Sequence, residues 1–175
     1  MNKSLVISAL GNDKPGIVNE LSKTILAQDG NIAESRMTVL GGEFAMMLLV
    51  TGTQESIDNI LSKLEETGEK LNLTLIAKDT QTQAHEQKRL PYQLKVVSMD
   101  HPGIVHNISD FLNNRDLNIE EVETQTYPAA HTGTPMFSLD MTISIPADSS
   151  VRNLRDEFIN FCDDLNLDAS LESKR

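Results

Sequence analysis

The sequence is poor in residue types on which many functional sites depend. It has no tryptophan, its aromatic content is 4%, and it holds a single cysteine, Cys162. One cysteine excludes an internal disulfide and any metal or redox site built from several thiolates. Cys162 lies among phenylalanines and acidic residues rather than beside a histidine or another base. We therefore expect a buried side chain and not a reactive thiolate.

Long apolar runs and an excess of basic residues are also missing. The mean hydropathy is −0.27, and no apolar run approaches the roughly 20 residues of a membrane-spanning helix. The first residues do not form a signal peptide, which favours a cytoplasmic location. The net charge is −11, with −3 in residues 1–89 and −8 in residues 90–175. Direct binding to nucleic acid or to an anionic membrane is therefore not expected.

What the sequence does contain is an internal repeat. The segment Asp13-Lys14-Pro15-Gly16-Ile17-Val18 returns 87 residues later as Asp100-His101-Pro102-Gly103-Ile104-Val105. At the same offset, ten of the 22 positions in 13–34 are identical. Later matches require six extra residues in the second copy, which we place in a loop at 127–135. The repeat predicts two copies of one unit, 1–79 and 91–175, joined by a polar linker at 80–90.

Hydrophobic periodicity predicts the same elements in each copy. An alternating strand is followed by an amphipathic helix, with Pro15 in its first turn, Asp13 close to its N-cap and Gly30 at its C-terminal cap. Pro102 and Asp100 take the corresponding places in the second copy. The remaining elements of the first copy are strands at 31–40 and 43–51, a helix at 56–64 and a strand at 71–78, and the second copy has matching strands at 118–126 and 165–171.

This order of elements predicts an α+β protein. The sequence β-α-β-β-α-β, present twice, is the ferredoxin-like arrangement of an antiparallel four-stranded sheet with two helices on one face. The opposite face of each sheet has no helix to cover it. We therefore expect a homodimer or a larger homo-oligomer rather than a monomer.

The motifs of common enzymes and metal sites are not found. The sequence has no phosphate-binding glycine loop, no nucleophile elbow and no zinc-binding histidine pair, and the spacing of His101 and His106 is poor for two ligands on one helix face. Ser22 and Ser109 lie in the middle of helices and are expected to pack as small side chains or to bond the preceding turn. Met46-Met47 is expected to fill the core. The prediction is a non-enzymatic protein with no metal and no cofactor.

The repeated turn is the candidate ligand site. A helix start presents free backbone amides that attract a carboxylate, and Gly16 and Gly103 allow a ligand to come close. Asn31 and Asn118 follow the helices, and an amide side chain can bind either a carboxylate or an ammonium group. Each feature alone is also explained as a turn that the fold requires. Their joint recurrence favours a ligand site in at least one copy.

At these residues the chain resembles the ACT domains. These are small ferredoxin-like regulatory modules that often bind amino acids at interfaces between modules, and the resemblance covers nearly the whole chain as two tandem modules without an attached enzyme. It implies ligand residues Asn12, Asp13, Lys14, Pro15, Gly16 and Asn31 in the first copy, and Asp100, His101, Pro102, Gly103 and Asn118 in the second. The second copy has Met99 in place of Asn12 and Leu117 in place of Gly30, so the first is expected to bind more tightly.

The tandem layout is similar to a family of transcriptional repressors of the glycine cleavage system. That resemblance implies a small amino acid as ligand, with glycine as the first candidate, and a DNA-binding activator as the protein partner. A regulatory subunit that controls an amino-acid biosynthetic enzyme in trans remains an alternative. An acylphosphatase, which shares the fold, would need an arginine in the first loop, where this chain has Lys14 or His101.

Overall fold

The computed structural model describes residues 3–81 and 88–174. The chain divides into two compact units, Met1–Ala84 and His85–Arg175, which we call module 1 and module 2. Residues 82–87 of the predicted linker lie outside the described residues. Strands enter both ends of the segment 80–90, since one strand ends at Thr80 and the next begins at Arg89.

The two modules have the same sequence of elements. Module 1 contains β1 (Lys3–Asn12), α1 (Ile17–Leu26), β2 (Asn31–Leu40), β3 (Glu43–Gly52), α2 (Gln54–Leu71) and β4 (Leu73–Thr80). Module 2 contains β5 (Arg89–Met99), α3 (Ile104–Asn113), β6 (Asn118–Pro128), β7 (Pro135–Pro146), α4 (Val151–Asp164) and β8 (Asp168–Ser173). The sheets are antiparallel, with strand orders β2-β3-β1-β4 and β6-β7-β5-β8. The predicted α+β class and the tandem ferredoxin-like architecture are confirmed.

One face of each sheet packs against the two helices of its module. In module 1, Leu5 and Ile7 of β1 and Leu48 of β3 are 1% exposed and lie on this inner face. The buried residues of α1 recur at four-residue spacing and close the core from the other side.

No helix in the described part of the chain is long and apolar enough to cross a membrane.

Cys162 belongs to the core of module 2, as expected. Its side chain is fully buried on α4. Burial, and to a smaller extent the neighbouring charge of Asp163, raises the pKa of its thiol to about 12. The thiol is therefore protonated at neutral pH and does not act as a nucleophile.

The start of α1 differs from the sequence prediction. The helix begins at Ile17, and its N-cap is Gly16, which has the left-handed φ of 92°. Pro15 therefore precedes the helix instead of lying in its first turn, and the side chain of Asp13 does not cap it. The prediction was wrong because a left-handed glycine, and not a polar side chain, turns the backbone into the helix.

Gly30 is not the C-terminal cap of α1, which is a second correction. The helix ends at Leu26, and the left-handed residue after it is Asp29, with φ 56°. Gly30 is buried instead, and a Cβ atom there would lie 2.6 Å from Cδ1 of Ile60 on α2. Its missing side chain leaves room for α2 to pack closely at this point.

The second helix of module 1 is longer than predicted, covering 54–71 instead of 56–64. Its buried face continues through Thr67 and Gly68 to Leu71, and these small or polar residues interrupt the apolar pattern. Asn72 follows in the left-handed conformation, with φ 55°. The last strands accordingly begin later than predicted, at Leu73 and at Asp168.

Candidate functional site

Each module places its repeated loop where its first strand ends and its first helix begins. In module 1 the five residues 12–16 are all exposed. The backbone amide of Asp13 donates to the carbonyl oxygen of Gly42 at 3.0 Å, which ties the loop to the β2–β3 turn. In module 2 the amide of Asp100 donates to the carbonyl oxygen of Pro135 at 2.9 Å. The loop is thus exposed and held at its base.

The start of α1 has no side-chain cap and has free space beside Gly16. The carbonyl oxygen of Gly16 accepts the amide of Glu20 at 3.0 Å, which closes the first helical turn. No side chain caps this end of the helix, whereas the hydroxyl of Thr53 accepts the amide of Ser56 at 3.1 Å at the start of α2. A Cβ atom at Gly16 would have no atom within 4 Å. The start of α1 therefore combines free space with donors that favour an anion.

Module 2 repeats this arrangement with a different side chain in the loop. Gly103 has φ 96°, and no side chain caps α3. His101 replaces the lysine of module 1, and its Nδ1 atom lies 3.0 Å from the carbonyl oxygen of Pro102. A Cβ atom at Gly103 would lie 3.9 Å from Nδ2 of Asn107. The loop of module 2 thus has a histidine where module 1 has Lys14.

The structure separates Asn31 from the loop of its own module. Asn31 pairs with Thr51 near one end of β3, whereas Asn12 pairs with Glu43 at the other end. These pairs are eight residues apart along β3, which corresponds to about 26 Å at roughly 3.3 Å per residue. Asn118 is displaced from the loop of module 2 in the same way. One small amino acid cannot contact both the loop and the asparagine of a single module.

The other polar candidates have structural roles or lie exposed. The hydroxyl of Ser22 donates to the carbonyl oxygen of Asn19 at 3.0 Å, and Ser109 donates to the carbonyl oxygen of His106 at 2.9 Å. Both serines therefore bond the preceding turn, which is one of the two predicted roles. Within 3–81 and 88–174, no three residues of the types His, Cys, Asp and Glu are placed to hold a metal ion. His85 lies outside the described residues.

Met47, which was predicted to fill the core, lies instead on the outer face of the module 1 sheet. Met46 is 7% exposed and packs in the core as predicted, but Met47 is 55% exposed on the opposite face. A comparison of the two copies position by position could have found this, because the residue equivalent to Met47 in module 2 is Asp140.

Several known proteins are similar to this chain in sequence or in structure. A profile of the ACT domain matches residues 3–78. The chain is 29% identical over 167 residues to the glycine cleavage system transcriptional repressor of Escherichia coli (strain K12), covering 95% of this chain and 88% of that protein. A UPF0237 protein of Methanococcus maripaludis is 38% identical over 77 residues, which cover 41% of this chain and 86% of the relative. A crystal structure of an unknown protein from Galdieria sulphuraria covers 100% of both chains with a TM-score of 0.85 at 27% identity.

Proposed function

Because this chain belongs to the ACT-domain family, we propose that it is a non-enzymatic regulator that responds to a small amino acid. The observation that carries this proposal is the exposed and uncapped start of α1, which recurs at α3. In its more specific form, the proposal is that the chain acts in the cytoplasm and represses the glycine cleavage system by binding a DNA-binding activator. The similarity to a glycine cleavage system transcriptional repressor, over 95% of the chain, supports this form.

The carboxylate of the amino acid binds the first amides of α1 in this proposal. Lys14 adds a positive charge beside these amides, and the side chains of Asn12 and Asp13 are the acceptors in the loop for the ammonium group. Pro15 and Gly16 shape the turn and keep the space open. Glycine suits this loop because an amino acid without a side chain needs no pocket beyond the two charged groups.

The second loop offers fewer contacts to the same ligand. Asp100 and the amides after Gly103 remain, but Met99 replaces the asparagine and His101 replaces the lysine. Pro102 keeps the shape of the turn. The first loop is therefore expected to bind more tightly, although not because of Gly30, which lies in the helix packing.

A screen of the twenty amino acids tests the ligand. Glycine is expected to raise the unfolding temperature of the whole chain, since a ligand that binds only the folded state stabilises it. Calorimetry on Gly16→Ala is expected to show affinity reduced tenfold or more, because a Cβ atom there takes up the free space and displaces the carboxylate from the helix amides. Loss of one charge-assisted hydrogen bond costs about 1.5–3 kcal/mol. Gly133→Ala is the matched control, since Gly133 also has a positive φ and open space around it. If no amino acid raises the unfolding temperature, the ligand part of the proposal is wrong.

Asn31→Ala and Asn118→Ala test the two asparagines separately. The distance along β3 predicts that neither change alters the affinity of the loop in the same module. A loss of affinity on either change would contradict a site confined to the loop of that module, because no ligand of this size reaches both groups within it.

The protein partner is tested by capture with tagged chain, followed by identification of the bound proteins. The proposal expects a DNA-binding activator whose capture decreases when glycine is added. Recovery of an amino-acid biosynthetic enzyme, with its activity changed by the chain, would instead support the alternative of a regulatory subunit that acts in trans.

A further inference from the structure

The outer sheet faces of the two modules differ in chemistry although the folds match. On the outer face of module 1, Met47 of β3 and Ile76 of β4 are 55% and 65% exposed, and Ser8 of β1 lies between them. The apolar residues of this outer face of module 1 are Val6, Leu10, Leu40, Ala45, Met47, Leu49 and Ile76. Two open grooves of about 350 Å³ and 420 Å³ lie on either side of Met47.

Module 2 has polar residues at most of the equivalent positions. Gln93 stands for Val6, Asp140 for Met47 and Ser170 for Ile76. These polar groups bond one another: Nε2 of Gln93 donates to Oδ1 of Asp140 at 2.8 Å, and Nζ of Lys95 lies 3.5 Å from Oδ2 of the same carboxylate. The fold therefore does not require an apolar outer face. The expectation that both sheets need a cover therefore applies mainly to module 1, whose outer face exposes more apolar side chains to water.

The charges on the module 1 face suit a second copy of the same surface. Its charged residues are Glu34, Glu43, Arg36 and Lys78, so the two signs balance. The chain as a whole has a net charge of −11, which makes most other approaches between two copies repulsive. Two copies that meet at this face bring together apolar side chains without an excess of like charge.

The area of the face is also sufficient for a dimer. Four strands of up to ten residues span about 33 Å by 19 Å at roughly 3.3 Å per residue and 4.8 Å per strand. Two such faces together bury about 1,200 Å², which is the lower limit of specific and stable protein interfaces.

We propose that the outer sheet face of module 1 is the dimer interface of this protein, and that a second copy of the same face covers it. The outer face of module 2 takes no part. The inference does not depend on the amino acid ligand, so it stands or falls separately from the proposed function.

Light scattering on the purified chain and on Met47→Asp tests the interface. One chain has a mass of 19.4 kDa. At micromolar concentration the natural protein is expected to have twice this mass. Met47→Asp is expected to raise the dissociation constant of the dimer at least tenfold, because it places two carboxylates in the apolar contact. The β3 strand accepts this residue, since Asp140 occupies the same position of β7. Ile76→Ser, which introduces the residue type found at Ser170, is a second variant that tests β4.

Two control variants test whether the loss of the dimer is specific to a charge placed on the outer sheet face of module 1. Met47→Leu retains an apolar side chain and is expected to remain a dimer. Leu26→Asp, at a residue of α1 that is 72% exposed and lies away from the sheet face, is also expected to remain a dimer. A mass of one chain for the natural protein, or a dimer unaffected by both Met47→Asp and Ile76→Ser, would overturn the proposal.

Discussion

Some of the residues that are identical in the two modules are required by the backbone conformation, and others remain available to bind a ligand. Asp29 and its counterpart Asp116 both have φ 56°, a conformation that aspartate tolerates better than most side chains. Their identity is therefore explained by the turn after each first helix. Pro15 and Gly16, by contrast, lie exposed in the loop beside the uncapped start of α1, which is why the proposed site is placed there.

Gly30 shows how the same position can hold different residues when its neighbours change. A Cβ atom at Gly30 would lie 2.6 Å from Cδ1 of Ile60 and 2.9 Å from Cγ2 of Ile25. Module 2 holds Leu117 at this position, half-buried against its core. The neighbouring side chains must therefore be arranged differently in module 2.

The change Gly30→Leu is expected to lower the free energy of unfolding by about 1–3 kcal/mol, through overpacking. Urea denaturation measures this loss. Module 2 has Leu112 and Leu154 in place of Ile25 and Ile60. Adding Ile25→Leu and Ile60→Leu is therefore expected to recover part of the loss. No loss for Gly30→Leu alone would show that the core of module 1 has more room than the structure indicates.

At the scale of elements, the two helices of a module are in contact through different types of side chain in module 1 and in module 2. In module 1 the hydroxyl oxygens of Thr24 and Thr67 lie 3.5 Å apart between α1 and α2. At the equivalent positions of module 2, the rings of Phe111 and Phe161 have centroids 4.8 Å apart. The same backbone arrangement thus accepts a polar or an aromatic pair, because both fill the space between the helices.

The ion pair between α1 and α2 predicts a pH dependence of stability. Nζ of Lys70 lies 2.6 Å from Oε2 of Glu20. The hydrogen bond from Lys70, and then its charge, lowers the pKa of Glu20 below its ordinary value of 4.5. Because the folded chain binds this proton less readily than the unfolded chain, the pair stabilises the fold above about pH 4.5 and loses this effect as the pH falls through the lowered pKa.

Lys70→Met is therefore expected to lower the unfolding temperature slightly at pH 7 and to match the natural chain at strongly acidic pH. Calorimetric melting curves across this range measure the difference. The effect is small because the pair is exposed to solvent. Glu20→Gln with Lys70→Met should be no less stable at pH 7 than Lys70→Met alone. A difference that stays constant down to strongly acidic pH would contradict the ion pair as its cause.

At the scale of the whole molecule, the net charge predicts that the protein does not bind DNA directly. The net charge is −11, and a chain that binds DNA directly gains most of its affinity from phosphate neutralisation by basic residues. The purified chain alone is therefore expected not to shift DNA in a gel at physiological salt. A sequence-specific shift without added protein would contradict an action through a partner.

The amino-acid sequence by itself determined the duplication, the order of the elements and the exposed loops. These depend on patterns that can be read along the chain: the repeat at an offset of 87 residues and the apolar spacing of strands and helices. Tertiary structure alone decided which of these residues meet. Strand register places Asn31 far from the loop of its own module, and helix packing requires Gly30. Such relations depend on the pairing of segments that are distant in sequence, and local patterns do not specify that pairing.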